Sequence, residues 1–357
     1  MVPVSPLSRR QRDVLAALVC EFIASGLPAG SRTLSRHYGL GISSASVRTT
    51  MSDLEEMGLV FQPHTSAGRL PTDLGIRVFV DVLMAVRRLS GSERETIEHA
   101  FEDVKSPGDL WHRTVHLLSD LTQHAAVVRS PRADSLVLRQ LSFVPLSGGD
   151  VLAVLVGQGG ITQSRILHVR VDLSPSRLER IHNYLNELVP GRTLIEARHV
   201  LAQEASESRR TVDRFMTEAL ELGRCALDAT ADEPEIVVHG QARLVHSPAF
   251  ANIDRLRQLV ELLDDQERLV GLLDATLTAS GPIVLIGAEH PLTELASCSM
   301  ISARYDHGPS ARGSICVIGP RSMDYARVLP LVEYMAEYLS SSVIPPRDEG
   351  RGDRATG

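Results

Sequence analysis

A short segment rich in hydroxyl groups carries the first recognisable chemistry of this sequence. Ser43, Ser44 and Ser46 are followed by Arg48 and Thr49. Hydroxyl groups bond phosphates or base edges, and an arginine can form two hydrogen bonds with one guanine. The N-terminus of a helix also favours an anionic phosphate. If one helix carries these residues near its start, they indicate contact with a nucleic acid.

The residues before this segment predict a short helix and a turn. Ser31 is a predicted N-cap, and Leu34 and Tyr38 lie four residues apart on one face. Gly39 supplies the left-handed stop. A tight GlyLeuGly turn then leads into the hydroxyl-rich segment.

The segment itself predicts a second helix, which Ser43 or Ser44 caps and Gly58 ends. Apolar residues at helical spacing form its inward stripe: Val47, Met51 and Leu54. Two helices joined by a short glycine turn are typical of the helix-turn-helix unit, whose second helix reads base edges in the major groove.

A polar hairpin follows this pair of helices. Residues 59–61 predict a strand, 63–68 a loop and 69–71 a short return, so the hairpin resembles a wing. A wing lies against the DNA backbone or minor groove. The alternative interpretation is a small helical subdomain with a surface hairpin. The candidate DNA-contacting residues are Ser31, Arg32, Thr33, Ser43, Ser44, Ser46, Arg48, Thr49, His64, Thr65, Ser66 and Arg69.

The charge distribution agrees with a DNA-binding N-terminus. Residues 1–90 hold ten arginines and seven acidic residues, a net charge of +3, whereas the whole chain carries −7 and the remainder therefore −10. Basic excess limited to one segment is typical of an electrostatic footprint for nucleic acid. Because the excess is modest, we expect tight binding to need two copies of the segment.

Metal, cofactor and enzyme functions are not expected. The four cysteines show no CxxC or Cys/His ligand spacing, and residues 157–160 lack the frame of a phosphate loop. Glu289, His290 and Cys298 lie near one another in sequence, but no third orienting residue or oxyanion loop accompanies them. We therefore predict no enzyme, no cofactor and no metal.

No targeting or membrane segment is expected either. Residues 1–7 contain two prolines and no apolar core, and no run of eighteen apolar residues occurs. The sequence predicts a cytoplasmic protein without a membrane partner.

The rest of the chain alternates between helical and strand patterns. Ser8 and Gly26 bound a helix before the DNA-contacting segment, and Thr72 caps the helix after it. A consecutive antiparallel meander is predicted from 125–128, 135–146, 151–157 and 161–173. The leucine-rich seam within 249–277 is interpreted as core or as a subunit interface. Strands, a helical block and further strands suggest one α+β domain interrupted by an insertion.

Several motifs carry a resemblance to a known family. GSRTLS, SSASVR, MSDLEE.GL, QPHTSAGR and PT..G resemble the N-terminal domain of the HrcA family of heat-inducible transcription repressors. IGAEHP, CSMISARY and IGPRSMDY resemble its C-terminal signatures. Thr49 and Thr50 depart from it, since the family pattern more usually has an asparagine there.

The resemblance implies an α+β protein with an N-terminal winged helix-turn-helix and a GAF-like domain interrupted by an inserted dimerisation domain. We place these at 1–90, at 91–204 with 281–344, and at 205–280, and expect a disordered tail at 345–357.

The resemblance also implies a function. It implies a homodimer that represses chaperone operons by binding the CIRCE inverted repeat in double-stranded DNA, loses activity on heat shock and is kept active by the GroE chaperonin. The alternative is a metabolite-sensing winged-helix regulator that uses the GAF-like domain as a ligand pocket.

Overall fold

The protein divides into two compact units. The computed structural model describes residues 7–65, 67–102, 104, 107–131, 137–146, 150–158, 162–168, 174–211, 214–228, 235–245, 250, 252–307 and 311–341. Within those ranges, the first unit comprises Met1–Val128, Ile236–Arg304 and Ile315–Met335. The second comprises Arg129–Glu235, Tyr305–Ser314 and Ala336–Gly357.

The first unit opens with what we call the N-terminal module, residues 7–84. Its elements are α1 (Arg9–Ser25), α2 (Ser31–His37), α3 (Ser44–Glu56), β1 (Val60–Phe61), β2 (Leu70–Pro71) and α4 (Asp73–Val78), which continues into a π-helical turn (Phe79–Leu83). β1 and β2 pair antiparallel, with Val60 opposite Pro71. The predicted hairpin is confirmed.

The remaining elements alternate between helices and strands. In chain order they are α5 (Gly91–Ala100), α6 (Pro107–Thr122), β3 (Ala125–Arg129), β4 (Leu138–Pro145), β5 (Asp150–Gly157), β6 (Thr162–His168), α7 (Pro175–Leu188), α8 (Leu194–Thr211), α9 (Arg214–Asp228), β7 (Ile236–His239), α10 (Gln241–Val245), α11 (Ile253–Asp264), α12 (Gln266–Asp274), β8 (Ile283–Ile286), β9 (Cys298–His307), β10 (Ala311–Pro320) and α13 (Tyr325–Ser341). Short 3-10 turns occupy Gly287–Glu289 and Thr293–Leu295.

The helix caps of the N-terminal module agree with the sequence at all but one position. The Ser8 side chain accepts from Gln11 N–H, and the Thr72 side chain from Gly75 N–H. The prediction for Ser31 was wrong, because Gly30 is the N-cap of α2 and provides no side-chain bond. Ala29 forms a β-bridge with Arg69, which holds the chain extended up to Gly30, so the helix begins directly afterwards.

An apolar core joins the helices of this module. The predicted stripe of α3 is confirmed, since Val47 and Leu54 are fully buried and Met51 nearly so. They pack with Leu15 and Leu18 of α1 in one cluster. Burying each large apolar side chain stabilises the fold by about 1.5–3 kcal/mol.

A five-stranded sheet forms the centre of the rest of the first unit. Its strand order is β7-β3-β10-β9-β8, and β8 pairs antiparallel with β9. Leu259 of α11 and Leu269 of α12 belong to the same buried cluster as Cys316 of β10. The leucine-rich seam is therefore core. Cys298 and Cys316 are fully buried, and burial raises the pKa of Cys298 to about 12.

Among the described residues of Arg129–Glu235, the second unit has a three-stranded sheet and three helices. Its strands form the antiparallel meander β4-β5-β6, in which Leu141 lies opposite Leu155. Leu141 and Leu155 share a buried cluster with Ile181 and Leu185 of α7 and with residues of α8 and α9. Alternation of buried and half-buried residues along β5 is the pattern of a sheet covered on one face.

Two predictions of topology differ from this structure. β3 does not belong to the meander: all five of its residues are buried, as in a central strand, and it lies between β7 and β10. The placement of an insert at 205–280 also differs from the contact division, because 129–235 separates and 236–280 packs with the five-stranded sheet. The tail at 345–357 lies outside the described residues.

Candidate DNA-binding surface

Ser43 organises the start of α3. Its side chain accepts a hydrogen bond from Ser46 N–H at 3.2 Å, and the two hydroxyl oxygens lie 3.0 Å apart. Of the two predicted caps, Ser43 rather than Ser44 takes this role. Its hydroxyl is therefore engaged within the helix terminus, whose free N–H groups suit an anion.

The outer face of α3 presents Arg48 and Thr49, which are both exposed. The Thr49 hydroxyl donates to Ala45 O at 3.3 Å, so it is already used within the helix. Thr50 is buried, and its hydroxyl donates to Ser46 O. Arg48 is consequently the extended side chain of this face that is available for a base or phosphate.

α2 brings a second group of polar residues beside α3. Arg32 and Arg36 are exposed, whereas Ser31 and Thr33 are half-buried. Tyr38 fixes the end of α2 to α1, because its hydroxyl donates to Glu21 Oε2 at 3.0 Å. Burial, followed by that hydrogen bond, raises the pKa of Tyr38 to about 12.

The loop of the β1–β2 hairpin is held by Gln62. Its side-chain amide donates to Thr65 O and to Ala67 O, each at 2.9 Å. Gln62 N–H donates to Glu55 Oε1 at 3.0 Å, which ties the loop to α3. Gln62 was not predicted as a functional residue. The signal available in the sequence was its position between the predicted strand and the predicted loop.

Arg69 has a structural environment that differs from the predicted DNA contact. Its guanidinium lies 2.8 Å from Glu55 Oε2, and its side chain is 17% exposed. Its backbone exchanges two hydrogen bonds with Ala29, at 2.8 and 2.9 Å. Gly68 passes so close that an added Cβ would lie 2.2 Å from Ala29 O. Arg69 thus joins the hairpin to α3 and to the start of α2.

A polar cleft of about 620 Å³ separates the hairpin from the helices. It brings together five of the predicted residues: Ser31, Arg32, Arg48, Thr65 and Arg69. The cleft is also lined by Met51, Ser52 and Gln62, which were not predicted as DNA-contacting residues. Six candidates do not line it: Thr33, Ser43, Ser44, Ser46, Thr49 and His64. Ser66 lies outside the described residues.

The charges around this cleft favour an anionic ligand. Arg32, Arg36 and Arg48 are exposed and have no ionic partner within the described part of the chain. Arg69 is instead neutralised by Glu55. Unpaired arginines beside a helix N-terminus create a local positive potential. This surface can therefore hold a phosphate backbone and present Arg48 to a base.

A family comparison covers the other part of the chain. The model described as "HrcA protein C terminal domain" matches residues 108–329. The chain belongs to the HrcA family.

Curated HrcA relatives extend the similarity to nearly the whole chain. A heat-inducible transcription repressor HrcA of Sorangium cellulosum is 41% identical, covering 94% of this chain and 97% of that protein. The HrcA repressor of Geobacter sulfurreducens is 36% identical, and the match covers 94% of this chain and 98% of that protein. The HrcA repressor of Syntrophobacter fumaroxidans is 34% identical, and the match covers 97% of this chain and 100% of that protein. By this homology the protein is a heat-inducible transcription repressor.

A solved structure supports the fold of this HrcA family member. The crystal structure of a hypothetical protein at 2.2 Å resolution is 25% identical, with a TM-score of 0.61 over 94% of this chain and 98% of that chain. Its similarity supports the mixed helix and sheet architecture across both units.

Metal sites and membrane-spanning helices are two further features to consider. In the ranges that the structure describes, no group of three or more metal-ligating side chains could hold an ion. Among the same residues, no helix combines the length and apolar character needed to cross a bilayer. The HrcA relatives are named as repressors and not as enzymes.

Proposed function

We propose that the N-terminal module is a winged helix-turn-helix that binds double-stranded DNA, with α3 in the major groove and the β1–β2 hairpin as its wing. The observation that most supports this proposal is that Arg48 is exposed and unpaired on α3, at the edge of the cleft. Arg32 and the N-terminus of α2 favour the adjoining phosphates, as in other helix-turn-helix proteins.

The protein acts in this proposal as a cytoplasmic homodimer on an inverted repeat. Two-fold symmetry of a protein is matched by symmetry in its operator. The modest charge of +3 on residues 1–90 is a reason to use two copies. We assign the dimerisation domain to the second unit and the GAF-like domain to the part of the first unit that contains the five-stranded sheet.

We infer the operator and the partner from the family relationship. The HrcA relationship supports repression of chaperone operons through the CIRCE inverted repeat, with the GroE chaperonin maintaining the active fold. A marginally stable repressor unfolds or aggregates on heating, and a chaperonin occupied by other clients does not restore it. Repression then falls without a small ligand.

Operator binding by the purified protein tests the proposal. The DNA is the intact CIRCE repeat, a single half-site or a scrambled sequence, each at several salt concentrations, with and without chaperonin. We expect tight, repeat-dependent binding that chaperonin increases and salt weakens, because released counterions set the salt slope. Binding that ignores the repeat, or that requires a metabolite extract, would favour a ligand-sensing regulator.

A further inference from the structure

α4 leaves the hairpin and lies against the turn that follows β8. Four charged side chains meet there from three parts of the first unit: Asp73, Arg77, Glu289 and Arg321. Asp73 and Arg77 are one helical turn apart on α4, so both side chains lie on one face. We call this group the α4 charge cluster.

Asp73 binds two partners across this contact. Its Oδ2 accepts from Ala288 N–H at 2.9 Å, and its Oδ1 lies 2.6 Å from Arg321 Nη1. Gly287 makes the approach possible, because an added Cβ would lie 2.1 Å from Asp73 Oδ2. The backbone of Gly287 is also left-handed, with φ +55°. The carboxylate therefore occupies a site shaped for it.

Arg77 makes the second part of the cluster. Its Nε donates to Glu289 Oε1 at 2.9 Å, and its Nη2 donates to Glu289 Oε2 and to Val284 O. Glu289 Oε2 also accepts from Ile286 N–H at 2.9 Å. A paired arginine and carboxylate of this kind has a fixed planar geometry, so it specifies orientation as well as attraction.

The order of the charges selects one docking register. Along α4 the order is acidic then basic, and the residues opposite are the basic Arg321 and the acidic Glu289. A displacement of α4 by one turn would bring Arg77 toward Arg321, and like charges brought together disfavour a docked state. The α4 charge cluster therefore distinguishes one placement of the N-terminal module on the sheet from its neighbours.

We propose that Asp73 and Arg77 are positioning residues that set the direction of the DNA-binding module and hence the half-site spacing that a dimer accepts. This inference rests on the proposed function. Neither residue needs to touch DNA. They affect operator binding indirectly, by setting the orientation of two modules that must bind DNA at the same time.

The test uses the full-length protein and a series of operators. The spacing between half-sites is changed one base pair at a time, and a single half-site is measured in parallel. The variants are Asp73→Asn and Arg77→Gln. The matched controls are Glu95→Gln and Arg88→Gln, which remove the same negative or positive charge at exposed positions outside the cluster.

We expect the wild type, Glu95→Gln and Arg88→Gln to show one sharp spacing optimum. Asp73→Asn and Arg77→Gln should lose about tenfold in affinity at that optimum. Once the first module is bound, the second is present at a high effective concentration, but a module that points in the wrong direction cannot use it to bind the second half-site. Their half-site affinity should stay within about twofold of wild type, which also shows that the module is folded. The profile over spacings should flatten.

Two results would overturn the inference. Variants with the wild-type spacing profile would show that the cluster does not set the spacing. Variants that lose half-site binding equally would assign the residues to the fold of the module. A wild type that binds the repeat no better than a half-site is a distinct result, because it overturns the proposed function and the inference with it.

Discussion

Arg48 is the single exposed side chain on α3 that we expect to affect both the affinity and the specificity of DNA binding. We predict that Arg48→Ala loses about 1–3 kcal/mol of operator binding and relaxes specificity at one position of each half-site. The measurement is affinity for operators substituted base by base. Arg88→Ala is the control, since Arg88 is also exposed and its loss changes the charge equally. An equal loss for every substituted operator would identify Arg48 as a phosphate contact.

His290 is a second single residue with a predicted effect, because it makes the stability of the protein depend on pH. It is 8% exposed, and burial lowers its pKa to about 4. The unfolded chain takes up a proton near the ordinary pKa of 6.5 and the folded chain does not until about 4, so stability falls as pH drops through this window. We predict that His290→Gln reduces this fall by about 1 kcal/mol per pH unit.

Unfolding midpoints at pH 6.5 and 5.0 test the role of His290. His124 retains part of the dependence in the variant, because burial lowers its pKa to about 4 as well. His64→Gln should behave as wild type, since His64 is exposed. An unchanged difference between the two midpoints in His290→Gln would remove His290 as a source of the pH dependence.

At the scale of elements, close backbone contact joins α4 to the hairpin. A Cβ on Gly75 would lie 2.0 Å from Leu59 O, which already accepts from Thr72 N–H. We predict that Gly75→Ala destabilises the protein by about 1–3 kcal/mol, because the backbone has to move. Gly91→Ala meets open space in α5 and should stabilise by about 0.4–1 kcal/mol. Thermal unfolding of both variants measures this, and a neutral Gly75→Ala would refute the tight contact.

Local patterns predicted the elements better than their partners. The stripe of Val47, Met51 and Leu54 and the paired hairpin strands are confirmed because helical period and turn residues act over a few positions. The position of β3 was missed, since its neighbours β7 and β10 are far away in sequence. Which sheet a strand joins depends on those distant partners.

The candidate site shows the same limit. Arg32, Arg48 and Thr65 could be selected by residue type, and all three line the cleft. Residue type alone could not distinguish a free arginine from Arg69, which Glu55 of α3 neutralises. Gln62 was missed because its role is to hold backbone carbonyls, which a sequence does not display.

At the scale of the whole molecule, DNA and temperature act on one equilibrium. A ligand that binds the folded state alone stabilises it, by about 2.7 kcal/mol at one hundred times its Kd. We predict that operator DNA raises the unfolding midpoint and that scrambled DNA at equal concentration raises it less. Differential scanning calorimetry provides the measurement. A free protein that is stable far above growth temperature would contradict the heat-sensing scheme.

The longest segment of the second unit, Arg129–Glu235, begins and ends at one place in the chain's path. Ser130 N–H donates to Glu235 O, and Glu235 N–H donates to the Ser130 hydroxyl, both at 2.8 Å. The intervening segment is thus closed at its base like a long hairpin loop, and doubling the length of such a loop costs only about 0.6 kcal/mol of closure entropy. Over evolutionary time, genes can lengthen, trim or exchange this segment while the strands on either side keep their places.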